Sequence, residues 1–398
     1  QHCLCYSAVE HMARFQYLLR YRIIPLFLIW RLLDFAFAHI ATSTLPYYGN
    51  FSHPSTLAKY NFPHWFKGFA QFDGIFYLRI ARDGYSQFEQ AFFPLYPMLI
   101  KALSPIFAGN TLIGSLLIAN LSFLVGLVVF RKYLQLILPA NQRKHIAFII
   151  LTLLLFPTSF FFGSSYTEGL FFLLVISTFY FLHKKNYWLV ALLAFLASLT
   201  RFIGVFLFIP ILISLLQISN FKLQIQRKYL ALTAAPFLGL GTYIYYLWST
   251  TGDPFAFFTS QSAFGAGRST ELILLPQVIY RYLNILFTAD WNLLYFVATL
   301  ELLTFLLVFT VLIIQLRELL RSKNKNLLCL NLFSLANLLI PTLTGTLLSI
   351  PRFSLLSLSF FIYIGLLKNT KTKAFLCLVF LLIHVALVAL FIQGYFIS

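Results

Sequence analysis

The chain has 398 residues, of which 60% are hydrophobic and only 10% are charged, and its formal net charge is +18. This is far more apolar surface than one water-soluble core buries, so the composition excludes a soluble globular protein. The basic charge alone would suit a nucleic-acid-binding protein. However, most of the 29 Lys and Arg residues lie in short segments between long apolar runs. Cytoplasmic loops of membrane proteins have this pattern, so no nucleic-acid partner is expected.

The predicted order of elements is a cytoplasmic N-terminal segment, 1–22, and then one transmembrane domain, 23–398. Residues 1–11 precede Met12 and are expected to be an over-extended start. Candidate spans follow at 23–44, 111–130, 146–163, 166–182, 188–217, 230–249, 291–316, 327–344, 352–367 and 374–396. If the run 188–217 crossed the membrane once, the basic loop after it would lie outside. A break near Thr200 and Arg201 divides the run into two crossings and keeps every basic loop on the cytoplasmic side. An all-α polytopic membrane protein with about eleven crossings is therefore predicted.

Two long segments between spans, 45–110 and 249–290, are nearly neutral and are predicted to lie outside, on the non-cytoplasmic face. Within the first, 94–107 is too short to cross and is interrupted by Pro97 and Pro105, so a re-entrant or interfacial path is expected. Aromatic and aliphatic residues from Trp65 to Ile80 recur at helical spacing. They predict an amphipathic helix on the membrane surface.

Asp73 lies on the apolar face of that predicted helix. A carboxylate among aromatic rings is partly desolvated, which makes it a better general base than a fully solvated one. The alternative is that Asp73, followed by Gly74, only caps a helix that begins there.

Three further charged residues are candidates for chemistry, each with a structural alternative. Glu168 opens a span on the outer side, but Ser165 stands at capping-box spacing from it. Arg201 lies inside a long apolar run, where a cation either faces a polar cavity or pairs with a structural partner. Arg352 follows Pro351 at a helix mouth and could hold a phosphate, or could extend to the interface as an ordinary basic side chain.

The remaining patterns predict structural contacts or argue against particular kinds of site. Arg31 and Asp34 are three residues apart in the first span and are predicted to pair with each other. The glycine-rich segment 265–269 lacks the lysine and the spacing of a P-loop. The chain has no Asp-x-Asp, no His-Glu-x-x-His and no His or Cys cluster with metal-ligand spacing, so no metal is expected. The four cysteines, Cys3, Cys5, Cys329 and Cys377, indicate no outward-facing disulfide.

The segment 72–85, FDGIFYLRIARDGY, followed by AFFPLYP at 91–97, resembles the signature of the PIG-V family. That family comprises the second mannosyltransferase of GPI-anchor assembly and its prokaryotic relatives. Pieces at 156–168, 198–201, 252–254 and 349–353 fit in the same order, so the resemblance covers about 65–360. The chain departs from the family at Phe72, where Trp is usual, and at Phe202, where many relatives have Pro.

The resemblance implies a GT-C-class membrane glycosyltransferase, a hexosyltransferase that takes mannose from a polyprenyl-phosphate donor and inverts the anomeric carbon without a metal or cofactor. It makes Asp73 the base for the acceptor hydroxyl, and Arg201 and Arg352 candidates for stabilising the leaving phosphate. The remaining candidates for binding the donor and its phosphate are Glu168, Tyr166, Arg79 and Tyr77.

The implied partners are a polyprenyl-phosphate sugar, membrane lipids and a lipid or glycan acceptor. The implied location is the plasma membrane of a prokaryote or the ER membrane of a eukaryote, with the active site on the non-cytoplasmic side. Two other hypotheses stay open. A transporter or flippase of lipid-linked sugars would also place Arg201 and Glu168 in the membrane. A non-catalytic subunit of a larger glycosylation complex is the third.

Overall fold

The computed structural model describes residues 23–49, 51–218, 227–264, 269, 271–322 and 324–397, so the predicted segment 1–22 lies outside the described residues. Within the described ranges the chain is helical and has no β-strand. The α-helices are, in chain order, α1 (Ile23–Thr44), α2 (Ser55–Ala58), α3 (His64–Lys67), α4 (Asp73–Asp83), α5 (Leu95–Leu103), α6 (Thr111–Ile137), α7 (Ile146–Leu155), α8 (Glu168–His183), α9 (Tyr187–Thr200), α10 (Phe208–Ile218), α11 (Arg227–Thr251), α12 (Ala256–Thr259), α13 (Leu275–Thr288), α14 (Leu293–Ser322), α15 (Lys325–Leu339), α16 (Ile350–Phe353), α17 (Leu358–Leu366) and α18 (Thr370–Ile392). Short 3-10 turns join several of them.

Five helical segments are long and apolar enough to cross a membrane: Ile23–Thr44, Thr111–Ile137, Leu293–Ser322, Lys325–Thr344 and Thr370–Ile392. Their outer faces carry exposed large apolar side chains, as on α1, where Ile24, Leu28 and Leu32 are exposed. A helix satisfies its own backbone hydrogen bonds, so such faces are stable in lipid but not in water. The chain is therefore described as a helical membrane protein, as its composition predicts.

The break predicted near Thr200 and Arg201 is confirmed. Helix α9 ends at Thr200, Arg201 has extended backbone angles, and a 3-10 turn covers Phe202–Leu207 before α10 begins. The turn packs tightly against the end of α9, because a Cβ on Gly204 would lie within 3.0 Å of the Ala197 backbone. The absence of a side chain at Gly204 therefore allows the chain to fold back at Arg201.

The single amphipathic helix predicted from Trp65 to Ile80 is wrong. The chain forms α3 and a 3-10 turn at Gly68–Ala70, and the helix then stops. Gln71 is extended and Phe72 has a φ of 54°, after which α4 begins at Asp73. A φ in this range is rare for a residue with a side chain and interrupts any continuous helix.

Tertiary hydrogen bonds explain this interruption. The Gln71 side chain is buried, and its Nε2 donates to the Ile392 carbonyl at 3.0 Å. The hydroxyl of Tyr166 donates to the Gln71 carbonyl at 2.8 Å. The Gln71 carbonyl also accepts from the Gly74 amide at 3.1 Å, so it bonds to the local backbone and to Tyr166 at once. The two contacts from distant segments hold Gln71 in the extended conformation.

The predicted pairing of Arg31 with Asp34 is confirmed, although at a long 3.4 Å. The structure adds two contacts that the spacing did not indicate. His384 Nε2 lies 2.8 Å from Asp34 Oδ1, and Arg31 Nη2 donates to the Gly163 carbonyl at 2.7 Å. These contacts tie α1 and α18 to the 3-10 turn at Ser159–Gly163, which leads into Glu168.

Candidate active site

Four charged side chains form a continuous chain of ion pairs. Arg352 Nη1 donates to Asp73 Oδ2 at 2.6 Å, and Arg352 Nε lies 3.4 Å from Glu168 Oε1. Arg201 Nη1 donates to the same Glu168 oxygen at 2.8 Å. The order is therefore Asp73, Arg352, Glu168, Arg201, with alternating charge and no net charge. Alternating charge is required here because an unpaired ion in a partly buried site is strongly destabilising.

Each member stands at the end of a helix or in a very short one. Asp73 is the first residue of α4, Glu168 is the first residue of α8, and Arg201 directly follows the last residue of α9. Arg352 lies in the one-turn helix α16. A helix N-terminus carries a partial positive charge, so the positions of Asp73 and Glu168 suit negatively charged side chains.

Neither carboxylate has the purely structural capping role that was the alternative to a chemical one. The N-cap residues are Phe72 for α4 and Thr167 for α8, and neither makes a side-chain capping hydrogen bond. Ser165, the predicted capping-box partner of Glu168, instead donates from Oγ to the Ser115 hydroxyl at 2.8 Å. The side-chain contacts of both carboxylates are therefore with the arginines.

The ion-pair chain lies in the wall of a cavity of about 860 Å³. Most of the remaining wall is aromatic or aliphatic, and its rings include Phe51, Phe72, Phe76, Phe92, Phe93, Phe202, Phe206, Phe255, Phe257, Phe258, Phe264, Phe353 and Phe396. A large apolar cavity with a few convergent polar groups is the usual form of a small-molecule or lipid site. Aromatic rings of this kind also stack on the apolar faces of sugars.

The two ends of the ion-pair chain are more accessible than its middle. The side chain of Asp73 is 28% exposed and that of Arg201 is 16% exposed, whereas Arg352 and Glu168 are 7% and 2% exposed. Asp73 uses only Oδ2 in its pair, so Oδ1 has no hydrogen-bond partner among the described residues. A ligand in the cavity therefore meets a carboxylate oxygen at one end and a guanidinium at the other.

Glu168 carries an unused hydrogen-bond acceptor. Its Oε1 pairs with both arginines, but its Oε2 is buried and has no hydrogen-bond partner among the described residues. Glu168 lines the cavity, and a buried carboxylate oxygen without a donor is costly. Because this oxygen is buried, a ligand hydroxyl reaches it only after a shift of the surrounding side chains.

Two of the predicted tyrosines lie beside the ion-pair chain. Tyr77 and Tyr166 both line the cavity, and the Arg352 guanidinium carbon lies 5.3 Å from the centre of the Tyr166 ring. Burial, with the negative charges of Glu168 and Asp73, raises the pKa of Tyr77 above its ordinary value. Tyr77 therefore keeps its proton at neutral pH and can act as a hydrogen-bond donor.

Arg79, the remaining predicted binding residue, lies apart from the cavity wall. Its Nε donates to Glu89 Oε1 at 3.0 Å, and the second oxygen of Glu89 accepts from the Ser86 amide at 2.8 Å. Arg79 is two residues after Tyr77, and positions two apart in a helix point in different directions. Its position on α4 therefore directs it toward the loop that follows the helix.

The aromatic wall formed by 255–264 was not predicted from the sequence. The signal was present in Asp253, whose Oδ1 accepts from the Phe255 amide and whose Oδ2 accepts from the Thr259 hydroxyl, both at 2.8 Å. The first bond forms a turn from Asp253 to Phe255, and the second ties this turn to the last residue of α12, whose Phe257 and Phe258 line the cavity wall. An Asp-Pro pair before a run of aromatic residues indicates such a turn.

Among the described residues, no group of three or more His, Cys, Asp or Glu side chains is placed to hold a metal ion. Comparison of the chain with models of protein families, with curated proteins and with solved structures finds no match.

Proposed function

We propose that this protein is a membrane glycosyltransferase of the PIG-V type, with a GT-C fold of about eleven crossings, and that it transfers a sugar from a polyprenyl-phosphate donor on the non-cytoplasmic face. The observation that carries the proposal is the ion-pair chain in the wall of the apolar cavity. It offers a carboxylate oxygen and a guanidinium to one ligand, beside aromatic rings that suit both a sugar and a prenyl chain. The motif resemblance supplies the reaction class.

In the proposed reaction, Asp73 Oδ1 takes the proton of the acceptor hydroxyl as its oxygen attacks the anomeric carbon of the donor sugar. The bond from that carbon to the phosphate oxygen breaks, and the electron pair leaves with the phosphate. Attack from the face opposite the leaving group inverts the anomeric configuration. The pair with Arg352 engages Oδ2 and so fixes which oxygen of Asp73 faces the acceptor.

The two arginines have different roles in this proposal. Arg201 uses only Nη1 in its pair and is the more exposed of the two, so it binds the donor phosphate. Arg352 is held between Asp73 and Glu168, so it orients the base. Its positive charge also stabilises the negative charge that develops on the leaving phosphate. Glu168 pairs with both arginines through Oε1 and so holds them at a fixed separation.

The flank of Arg201 suits the donor's tail. Phe202, Phe206, Leu240 and Ile244 line the cavity on this flank, and Phe202 is exposed on the protein surface. An apolar path beside the phosphate-binding cation lets a long prenyl chain remain in lipid while the sugar reaches Asp73. The acceptor would then approach from the flank of Asp73, where Phe51, Ser52 and Phe396 complete the wall.

The test is transfer of radiolabelled mannose from synthetic polyprenyl-phosphate mannose to host membrane lipids by the purified chain in vesicles. Labelled lipid or glycan product formed by the purified chain supports the transferase and excludes a subunit that acts only in a complex. Movement of the donor between leaflets without any transfer overturns it in favour of a flippase. The same assay with other polyprenyl-phosphate hexoses identifies the sugar.

A further inference from the structure

The loop before α16 is held by side chains of α13. Arg281 Nη1 donates to the Gly345 carbonyl at 3.1 Å. The Tyr282 hydroxyl accepts from the Leu347 amide at 3.0 Å and lies 3.1 Å from the Thr346 hydroxyl. The loop therefore depends on polar contacts from a helix more than sixty residues away in the sequence.

A carboxylate in α14 completes this arrangement. Glu301 is 2% exposed and lies within Leu293–Ser322, one of the segments apolar enough to cross a membrane. Its Oε2 accepts from the Tyr282 hydroxyl at 2.6 Å, and its Oε1 accepts from the Ser349 amide at 3.2 Å. Placing an acidic side chain in a membrane-spanning segment costs free energy, so such residues usually have a specific function.

Ser349 is the point at which the loop becomes α16. It is the N-cap residue of the helix that carries Arg352, and its φ is 65°, a left-handed conformation that costs energy for a residue other than glycine. The hydrogen bond from its amide to Glu301 offsets part of that cost. Loss of this bond is therefore expected to loosen Ser349 and to shift α16 relative to Asp73.

We propose that Glu301, acting through Tyr282 and the Ser349 amide, is a positioning residue that fixes the direction of the Arg352 guanidinium. This inference rests on the proposed function, because the direction of Arg352 matters for catalysis only if Asp73 is the base. Glu301 itself does not line the cavity. In this inference it acts on Arg352 through Tyr282 and the loop at 346–349.

The first test uses Glu301→Gln and Tyr282→Phe in the full chain, assayed for sugar transfer. Both variants are expected to lower kcat by roughly 10- to 100-fold, the usual effect of a small misplacement of a catalytic group. The KM for the donor should change by less than about threefold, because Arg201 is not attached to this loop. Tyr133→Phe is the matched control, since Tyr133 is a buried tyrosine near the opposite end of the helices, beside His183 and Cys329.

A double-mutant comparison separates positioning from a general structural role. In an Arg352→Lys background, Glu301→Gln should cause little further loss of kcat, because the group that it positions has already been replaced. If the two losses multiply instead, Glu301 supports the fold and the inference is wrong. Equal loss of kcat in Tyr133→Phe would overturn it in the same way.

Hydrogen exchange of the backbone amides tests the inference without any activity. In Glu301→Gln and Tyr282→Phe, the peptide containing Leu347 and Ser349 should exchange at least about tenfold faster, while the peptide that begins α8 at Glu168 keeps its protection. Unchanged exchange of the loop overturns the inference. Faster exchange in a protein that transfers no sugar from any donor would contradict the proposed function and leave the role of Glu301 in placing Arg352 intact.

Discussion

Arg352 donates to Asp73 at 2.6 Å although the two residues are 279 positions apart in the sequence. Each follows a residue with a positive φ: Phe72 directly precedes Asp73, and Ser349 lies three positions before Arg352. Strained backbone of this kind persists only where the surrounding contacts hold it, and it concentrates at functional sites. The pair is thus supported on both sides by unusual local conformations.

Replacement of Asp73 by Asn should abolish sugar transfer while leaving donor binding in place. Asparagine has the same shape but accepts no proton, so the rate should fall roughly 100- to 10,000-fold. The measurement is the initial rate of labelled product together with binding of the donor. Asp83→Asn is the control, because Asp83 ends the same helix, is exposed and pairs with the neighbouring Arg82 away from the cavity wall. A wild-type rate in Asp73→Asn would exclude Asp73 as the base.

The two arginines should give different kinetic defects. Arg201→Gln is expected to raise the KM for the donor, since a charge-assisted hydrogen bond contributes about 1.5–3 kcal/mol, or roughly 10- to 100-fold in affinity. Arg352→Gln should mainly lower kcat, because Asp73 loses the group that orients it. Steady-state kinetics with varied donor separate the two effects, and Arg82→Gln serves as the surface control. Identical defects in both variants would contradict the assignment of separate roles.

Glu168→Ala should destabilise the protein by about 3–5 kcal/mol, since it leaves two neighbouring arginines without the buried carboxylate between them. The measurement is the unfolding transition of the purified protein in detergent. Glu271→Ala, at an exposed position, is the comparison and should leave the transition nearly unchanged. If Glu168→Ala unfolds like the wild type, the ion-pair chain does not contribute to stability.

Gly204→Ala should displace Arg201 and lower stability. The added Cβ would overlap the backbone of Ala197 and Ser198, which have no flexible end to move aside, and overpacking of this kind costs about 1–3 kcal/mol. Gly241→Ala in α11 meets no atom within 4 Å and should be neutral or slightly stabilising. Unfolding transitions and donor affinity of the two variants test this difference. A tolerated Gly204→Ala would show that the turn is not tightly packed.

Several features were predictable because they depend on composition, on local spacing or on the distribution of charge along the chain. The length and composition of apolar runs decide whether a helix is stable in lipid, so the helical membrane character followed from the sequence. The break at Arg201 followed from the distribution of basic residues along the chain, because every basic loop lies on one side only if the run 188–217 is interrupted. Arg31 and Asp34 were expected to pair because they are three apart on one helix.

Other features depended on segments that are far apart in the chain. The continuous helix through Trp65 and Ile80 was not formed, because Ile392 and Tyr166 draw the backbone of Gln71 out of helical geometry. Arg79 belonged to the same motif as Asp73 but pairs with Glu89 outside the cavity.

The sequence by itself identified the charged residues that lie within or beside apolar runs, because the composition of each segment is enough to find them. Only tertiary packing decided that Arg352 reaches Asp73 and that Glu168 lies between two arginines. The physical reason is that a buried charge must find an opposite charge at close range, and which one it finds depends on how distant helices pack. The position of Glu301 beneath Ser349 depends on the same packing.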